Sequence, residues 1–146
     1  MKNVLLSTLE SISKWASKES LWPLACGLSC CAIEMMHTAA SRFDADQFGC
    51  LFRSSPRHSD LMIISGTVTK KMATQIKNLY DQMLYPKFVI AMGNCAISGG
   101  IYYESDTVVK GVHNIIPVDV YLYGCPPRSE ELIMAIKQLQ ERISME

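Results

Sequence analysis

Residues 61–95 read LMIISGTVTKKMATQIKNLYDQMLYPKFVIAMGNC, and the change of texture along them decides the fold. Leu61-Met62-Ile63-Ile64 is a short, wholly apolar run closed by Ser65-Gly66, the pattern of a strand buried on both faces of a parallel sheet. From Lys70 to Met83 the apolar residues Met72, Ile76, Leu79 and Met83 recur at helical spacing. Pro86 then opens a second apolar run, Phe88 to Met92, which stops at Gly93-Asn94-Cys95 and Ser98-Gly99-Gly100. The stretch predicts one strand-helix-strand unit.

The same alternation continues on both sides. Ile115 to Tyr121 is a further apolar segment rich in β-branched residues, despite Pro117, and it ends at Gly124-Cys125-Pro126-Pro127. A last helix is expected from about Ser129, with Glu130 and Glu131 in its first turn and Leu132, Ile133, Ile136 and Leu139 facing inward. Toward the amino terminus, Cys31 to Ala40 predicts a short helix, and Leu5, Leu9, Ile12 and Ala16 predict an amphipathic helix over residues 4–18, which Trp22-Pro23 ends. Three strands alternating with helices give an α/β fold, an open parallel sheet flanked by helices and doubly wound in the flavodoxin-like manner. Right-handed crossovers bring the loops after the strands to one edge, where ligands bind.

At 146 residues the chain is expected to be one domain, 1–146, with the amphipathic helix in 1–20 and the α/β core in 22–146. Fourteen basic and fourteen acidic side chains leave no net field to attract nucleic acid. Apolar residues make up 49% and charged residues only 19%, against about 25% charged in an ordinary soluble domain, so part of the surface is expected to be covered by other subunits. The apolar runs are far shorter than the roughly twenty residues that cross a bilayer. The first twenty residues mix Glu10 and Glu19 with three lysines and hold no long apolar stretch, so neither a signal nor a transit peptide is expected. In the reducing compartment this implies, six cysteines are thiols or metal ligands, not disulfides.

Cys30-Cys31, Cys95 and Cys125 each lie in a loop bordered by glycine or proline, where backbone can bend around a bulky group. Spacing alone leaves two readings, a metal centre or buried free cysteines. Adjacent cysteines are unusual in structural zinc sites, whereas iron–sulfur clusters tolerate varied spacing. No Cys-x-x-Cys pair opens a helix after a strand, which argues against thiol–disulfide chemistry.

The motifs Trp22-Pro23, Gly27-Leu28-Ser29-Cys30-Cys31-Ala32-Ile33-Glu34-Met35-Met36, Arg53-Ser54-Ser55-Pro56-Arg57, Met92-Gly93-Asn94-Cys95 with Gly99-Gly100, and Pro117-Val118-Asp119-Val120-Tyr121 leading to Gly124-Cys125-Pro126-Pro127-Arg128 run from about residue 3 to 143. In order and spacing they resemble the B or PSST-type subunit of respiratory complex I, which carries the terminal iron–sulfur cluster and is related to the small subunit of nickel-iron hydrogenases. The resemblance implies that Cys30, Cys31, Cys95 and Cys125 hold one 4Fe-4S cluster that passes electrons singly to quinone. It implies, as partners, a large quinone-site subunit, a ferredoxin-like iron–sulfur subunit and membrane-arm subunits, with the chain peripheral to the membrane on the cytoplasmic side. The enzyme would be a proton-translocating quinone oxidoreductase fed by NADH or a related donor, and this chain would not act alone.

Ala32, Ile33, Met35 and Met36 follow the first cysteine pair and are expected either to line the quinone path or to pack as helix core. Cys26 and Cys50 match no ligand of the family and are expected to be packing residues. Arg53 and Arg57 would place positive charge near the cluster or meet a partner's carboxylates, and His37, His58 and His113 are expected at the surface. Gln47 stands where many members have arginine, Tyr123 where proline is common and His113 where an acidic residue is common. The alternatives are a small subunit of an energy-converting nickel-iron hydrogenase-type complex, which the adjacent Cys30-Cys31 pair disfavours, or a structural zinc or assembly protein.

Overall fold

The computed structural model describes residues 4–145. The strands are β1 (Pro23–Gly27), β2 (Leu61–Ser65), β3 (Phe88–Met92) and β4 (Val120–Leu122), and the α-helices are α1 (Val4–Glu19), α2 (Cys31–Ala39), α3 (Lys70–Gln82), α4 (Asn94–Ser98) and α5 (Ser129–Met145). All neighbouring strands pair in parallel in the order β1-β2-β3-β4, with Leu61 opposite both Pro23 and Phe88. This is the expected α/β architecture, a parallel sheet with helices on both faces.

The sheet's inner strands show why the apolar runs were readable. Leu61, Ile63, Ile90 and Met92 point to one face and pack with Met35 of α2 and Leu132, Ile136 and Leu139 of α5. Met62, Ile64, Val89 and Ala91 point to the other and pack with Ile76, Met83 and Val68. Every residue of β2 is buried, so alternation along the strand selects which apolar layer it meets, not apolar against polar. The cap of α3 is Thr69, whose hydroxyl accepts the Met72 N–H at 3.3 Å, and α5 is opened by the Arg128 N–H donating to the Glu131 carboxylate at 2.9 Å.

Two expectations are corrected. First, β1 was not among the three expected strands. Proline, alanine and glycine give Pro23-Leu24-Ala25-Cys26-Gly27 a poor strand composition, and it is a strand because neighbours hold it on both edges. On one edge is β2; on the other Arg53 pairs in parallel with Leu24 and its N–H donates to the Pro23 carbonyl at 2.8 Å. The chain thus leaves β1 through α2, touches the outer edge at Arg53 and crosses back to β2. The reversal of a doubly wound sheet is reduced here to one bridging residue.

Second, the segment 115–121 is mostly not strand. Val112–Asn114 forms a 3-10 turn, and pairing begins at Asp119, whose N–H donates to Val89 O at 3.0 Å while its carboxylate accepts the Val89 N–H at 2.8 Å. Pro117 has no N–H to offer a ladder. The amphipathic helix expected over 4–18 is present as α1, and its apolar stripe is exposed: Leu9, Ile12 and Trp15 are 59%, 60% and 64% exposed, and the helix lies beside α5. The side chain of Leu5 lies outside the described residues. Among those residues no helix is long and apolar enough to cross a membrane.

At the amino end of the sheet the Asp60 carboxylate accepts the Trp22 N–H at 2.6 Å. Burial raises its pKa, and backbone N–H groups of Trp22, Asp60 and Leu61 only partly offset this. For a carboxyl raised in the fold, the unfolded chain ionises first, so stability is lost as pH rises through the folded pKa. Asp60→Asn, which keeps an oxygen for Trp22, is therefore expected to gain in melting temperature on the wild type between acid and neutral pH. A variant that instead falls steadily behind over that range would contradict this.

Candidate metal centre

Because all four strands run the same way, the loops at their carboxyl ends share one rim of the sheet. After β1 the chain reaches Cys30, the residue that caps α2, and Cys31, its first residue. After β3 the turn at Gly93 leads into α4 with Cys95, and Cys125 follows β4. Cys31 and Cys95 are buried, at 2% and 6% exposure, while Cys30 and Cys125 are exposed. A cavity of about 480 Å3 lies between the loops, lined among others by Ser29, Cys30, Thr67, Cys95, Tyr102 and Cys125.

The thiols sense one another. Burial, first, and then Cys30, Cys95 and Cys125 push the Cys31 thiol up to about 12. All three partners are therefore within electrostatic reach of Cys31, and as thiolates the four repel. A cationic group shared among them would offset that repulsion between thiolates. Room for sulfur is also built into the backbone. Gly93 has φ +90° and ψ 152°, and a Cβ there would stand 2.5 Å from the Cys31 sulfur. By donor chemistry and by this cradle, the residues fit an iron–sulfur group. Among the described residues no three His, Cys, Asp or Glu side chains are grouped as ligands of a single metal ion.

Side chains far apart in sequence hold the rim together. The Thr67 N–H donates to Ser29 Oγ at 3.1 Å, joining the loops after β1 and β2. The Asn94 N–H donates to Gly124 O at 2.9 Å, and the Gly124 N–H donates to Asn94 Oδ1 at 3.1 Å. Ser129, only 1% exposed, donates its N–H to the Glu34 carboxylate at 3.2 Å, and its hydroxyl lies 2.9 Å from that carboxylate and 3.2 Å from His37 Nδ1. None of Ser29, Asn94, Ser129 or Glu34 was singled out for the site from sequence. Ser29, Glu34 and Asn94 fall inside the quoted motifs, but their partners lie 30 to 95 residues away and the motifs do not show these bonds.

The residues expected near quinone divide. Met35 and Met36 share an apolar recess of about 200 Å3 with Ala25, Ala39 and Phe52. Met35 is buried there, while Met36 is 63% exposed at its mouth. Ala32 and Ile33 do not line it: a Cβ on Gly27 would come within 2.8 Å of Ala32, so Ala32 is taken up against the end of β1, and Ile33 is exposed elsewhere on α2. Cys26 and Cys50 are buried in opposite core layers, and burial lifts their thiols to about 11 and about 12. Arg53 stacks over the Trp22 ring at 4.2 Å, and Arg57 lines a recess with Trp22 and Asp60 at the amino end of the sheet. His37, His58 and His113 are exposed.

A parallel α/β scaffold with these cysteine-bearing loops defines a class, the small electron-transfer-type subunits of complex I-like modules. Within it, the chain belongs to the family described as NADH ubiquinone oxidoreductase, 20 Kd subunit, whose pattern matches residues 29–139. It is therefore an oxidoreductase subunit. Among solved structures it is similar to a chain of the membrane-bound sulfane sulfur reductase, an archaeal respiratory membrane complex, with TM-score 0.89 and 41% identity over 93% of this chain and 77% of that one. It also shares its fold with a chain of an NAD+-reducing [NiFe]-hydrogenase in the H2-reduced state, with TM-score 0.62 and 21% identity over 84% of this chain and 92% of that one.

Proposed function

We propose that this chain is the electron-transfer subunit of a membrane respiratory complex like the sulfane sulfur reductase, holding one 4Fe-4S cluster on Cys30, Cys31, Cys95 and Cys125. The observation that carries this reading is the arrival of four cysteines from three loops at one rim, with Cys31 under the influence of the other three. The 41% identity to the sulfane sulfur reductase chain favours that setting over a quinone-reducing complex I proper. When bound, such a cluster exchanges single electrons, with a potential set by net charge, hydrogen bonds to sulfur and solvent access.

The protein's own part follows from its geometry. Buried Cys31 and Cys95 hold the inner side away from water, and exposed Cys30 and Cys125 face outward, where a redox partner would come close. The thiols must lose their protons to act as ligands, so loading should release protons and weaken as pH falls. Among the described residues the cavity lining consists of Ser, Thr, Tyr, Cys and apolar side chains, with no carboxylate or imidazole. Anaerobic purification with the partners, followed by metal analysis and a survey for nickel or for quinone reductase activity, tests the setting.

A second reading, with quinone as acceptor, rests on the apolar recess beside α2, the helix that begins at Cys31. If quinone passes its mouth, Met36→Lys in the assembled complex is expected to cut quinone reduction by about tenfold or more. A quinone covering the mouth would desolvate the introduced ammonium, at a cost above the roughly 1.4 kcal/mol that tenfold represents. Met36→Leu conserves volume and is expected to be nearly silent. Full activity and unchanged inhibitor titration in Met36→Lys, with an intact cluster EPR signal, would remove Met36 from any quinone path.

A further inference from the structure

Where β3 ends, its ladder with β4 does not end with it. The Gly93 N–H still donates to Leu122 O at 2.8 Å, and the Asn94 N–H to Gly124 O at 2.9 Å. The next bond a strand would make is lost, because the backbone turns into α4 at Asn94. The Asn94 side chain replaces it: its Oδ1 accepts the Gly124 N–H at 3.1 Å. One residue therefore grips Gly124 twice, once through backbone and once through side chain. Asn94 directly precedes Cys95, and Gly124 directly precedes Cys125.

We propose that Asn94 is a positioning residue that fixes the spacing of Cys95 and Cys125 by pairing its amide oxygen with the Gly124 N–H. This rests on the reading that both cysteines are cluster ligands. Cys125 is exposed, and Pro126 follows it without an N–H to donate, so the bonds at Gly124 are the backbone restraint immediately beside that ligand. Ser29 joins the neighbouring loops in a comparable way, but it bonds Thr67, which borders no cysteine. Asparagine suits the task because its oxygen accepts without adding charge beside an anionic group.

The test uses the complex purified without oxygen, in wild type, Asn94→Ala and Asn94→Asp, reading iron and labile sulfide, the low-temperature EPR line shape and the rate of iron loss to a chelator. Wild type lacking iron and sulfide would sink the cluster reading itself, before any variant is compared. With the cluster present in wild type, Asn94→Ala is expected to lose iron about two- to fivefold faster, as befits one partly solvated hydrogen bond, and to show an altered line shape. Asn94→Asp keeps an acceptor and is expected to restore the retention rate, while its added charge moves the midpoint potential negative. A merely structural residue would change none of the spectrum. Unchanged retention and line shape in Asn94→Ala, or no rescue by Asn94→Asp, would overturn the proposal. Should the alanine chain not assemble, Asn94→Gln, which moves the oxygen one methylene out of register, is read on the same scale.

Discussion

Cys125→Ala, and likewise Cys30→Ala and Cys95→Ala, is expected to abolish the cluster's EPR signal and most of the bound iron, while Cys26→Ala and Cys50→Ala keep both. The contrast follows from position. Cys30, Cys95 and Cys125 border one cavity, and Cys31 feels all three, whereas Cys26 and Cys50 lie within apolar layers on opposite faces of the sheet. Removing a sulfur from a packed layer costs on the order of 1 kcal/mol. Formation of a metal site contributes on the order of 10 kcal/mol in small domains, comparable with the whole stability of a fold, so losing a ligand is also expected to lower the melting temperature sharply. Iron content and melting curves of the five single variants check this. Normal iron in Cys125→Ala, or loss of iron in Cys50→Ala equal to that in Cys125→Ala, would contradict it.

The second large effect is expected at Gly93. Its φ of +90° with ψ of 152° lies at the border of a region that is nearly glycine-only, where a side chain costs about 1 to 3 kcal/mol. The added Cβ would also stand 2.5 Å from the Cys31 sulfur, inside any real contact, and Cys31 is packed too tightly to yield. Gly93→Ala must displace either a ligand or the β3 turn, so iron occupancy is expected to fall several-fold. Gly99 serves as the comparison. It has φ +91° as well, but its Cβ would meet Tyr103 and no sulfur, with the nearest atom at 3.3 Å. Gly99→Ala is therefore expected to lower stability by about 1 to 2 kcal/mol and to keep its iron. Equal iron in the two variants would show that the space beside Cys31 is immaterial.

The parts of the fold that could be read from sequence are those where burial is two-sided or periodic. The runs 61–64 and 88–92 admit no polar residue because both faces of the sheet are covered, and α3 and α5 show their stripes plainly. What escaped reading depends on neighbours. Pro23–Gly27 is a strand because β2 and Arg53 hold its edges, and the segment before Val120 is not one because Pro117 and a 3-10 turn interrupt it. The stripe of α1 is periodic yet exposed, since periodicity marks a face to be covered without saying by what.

The candidate site divides in the same way. Cysteines bordered by glycine and proline were conspicuous, and three parallel strands predicted that their loops would meet. The residues that tie the loops were not, because Asn94, Ser29 and the Glu34–Ser129 pair act on partners brought close only by the fold. Of the four residues expected beside quinone, helix spacing gave Ala32, Met35 and Met36 a common face. In the fold Ala32 also lies close to Gly27, and the recess beside α2 takes Met35 and Met36, contacts that spacing does not record.

The central claim is that this chain carries a polynuclear iron–sulfur group on its four rim cysteines. Iron, zinc and acid-labile sulfide assayed on the same anaerobically purified sample, with low-temperature EPR before and after reduction, test it most directly. The expected result is about four irons and four labile sulfides per chain, with a paramagnetic signal that appears on reduction. Stoichiometric zinc with no labile sulfide and no such signal would contradict it.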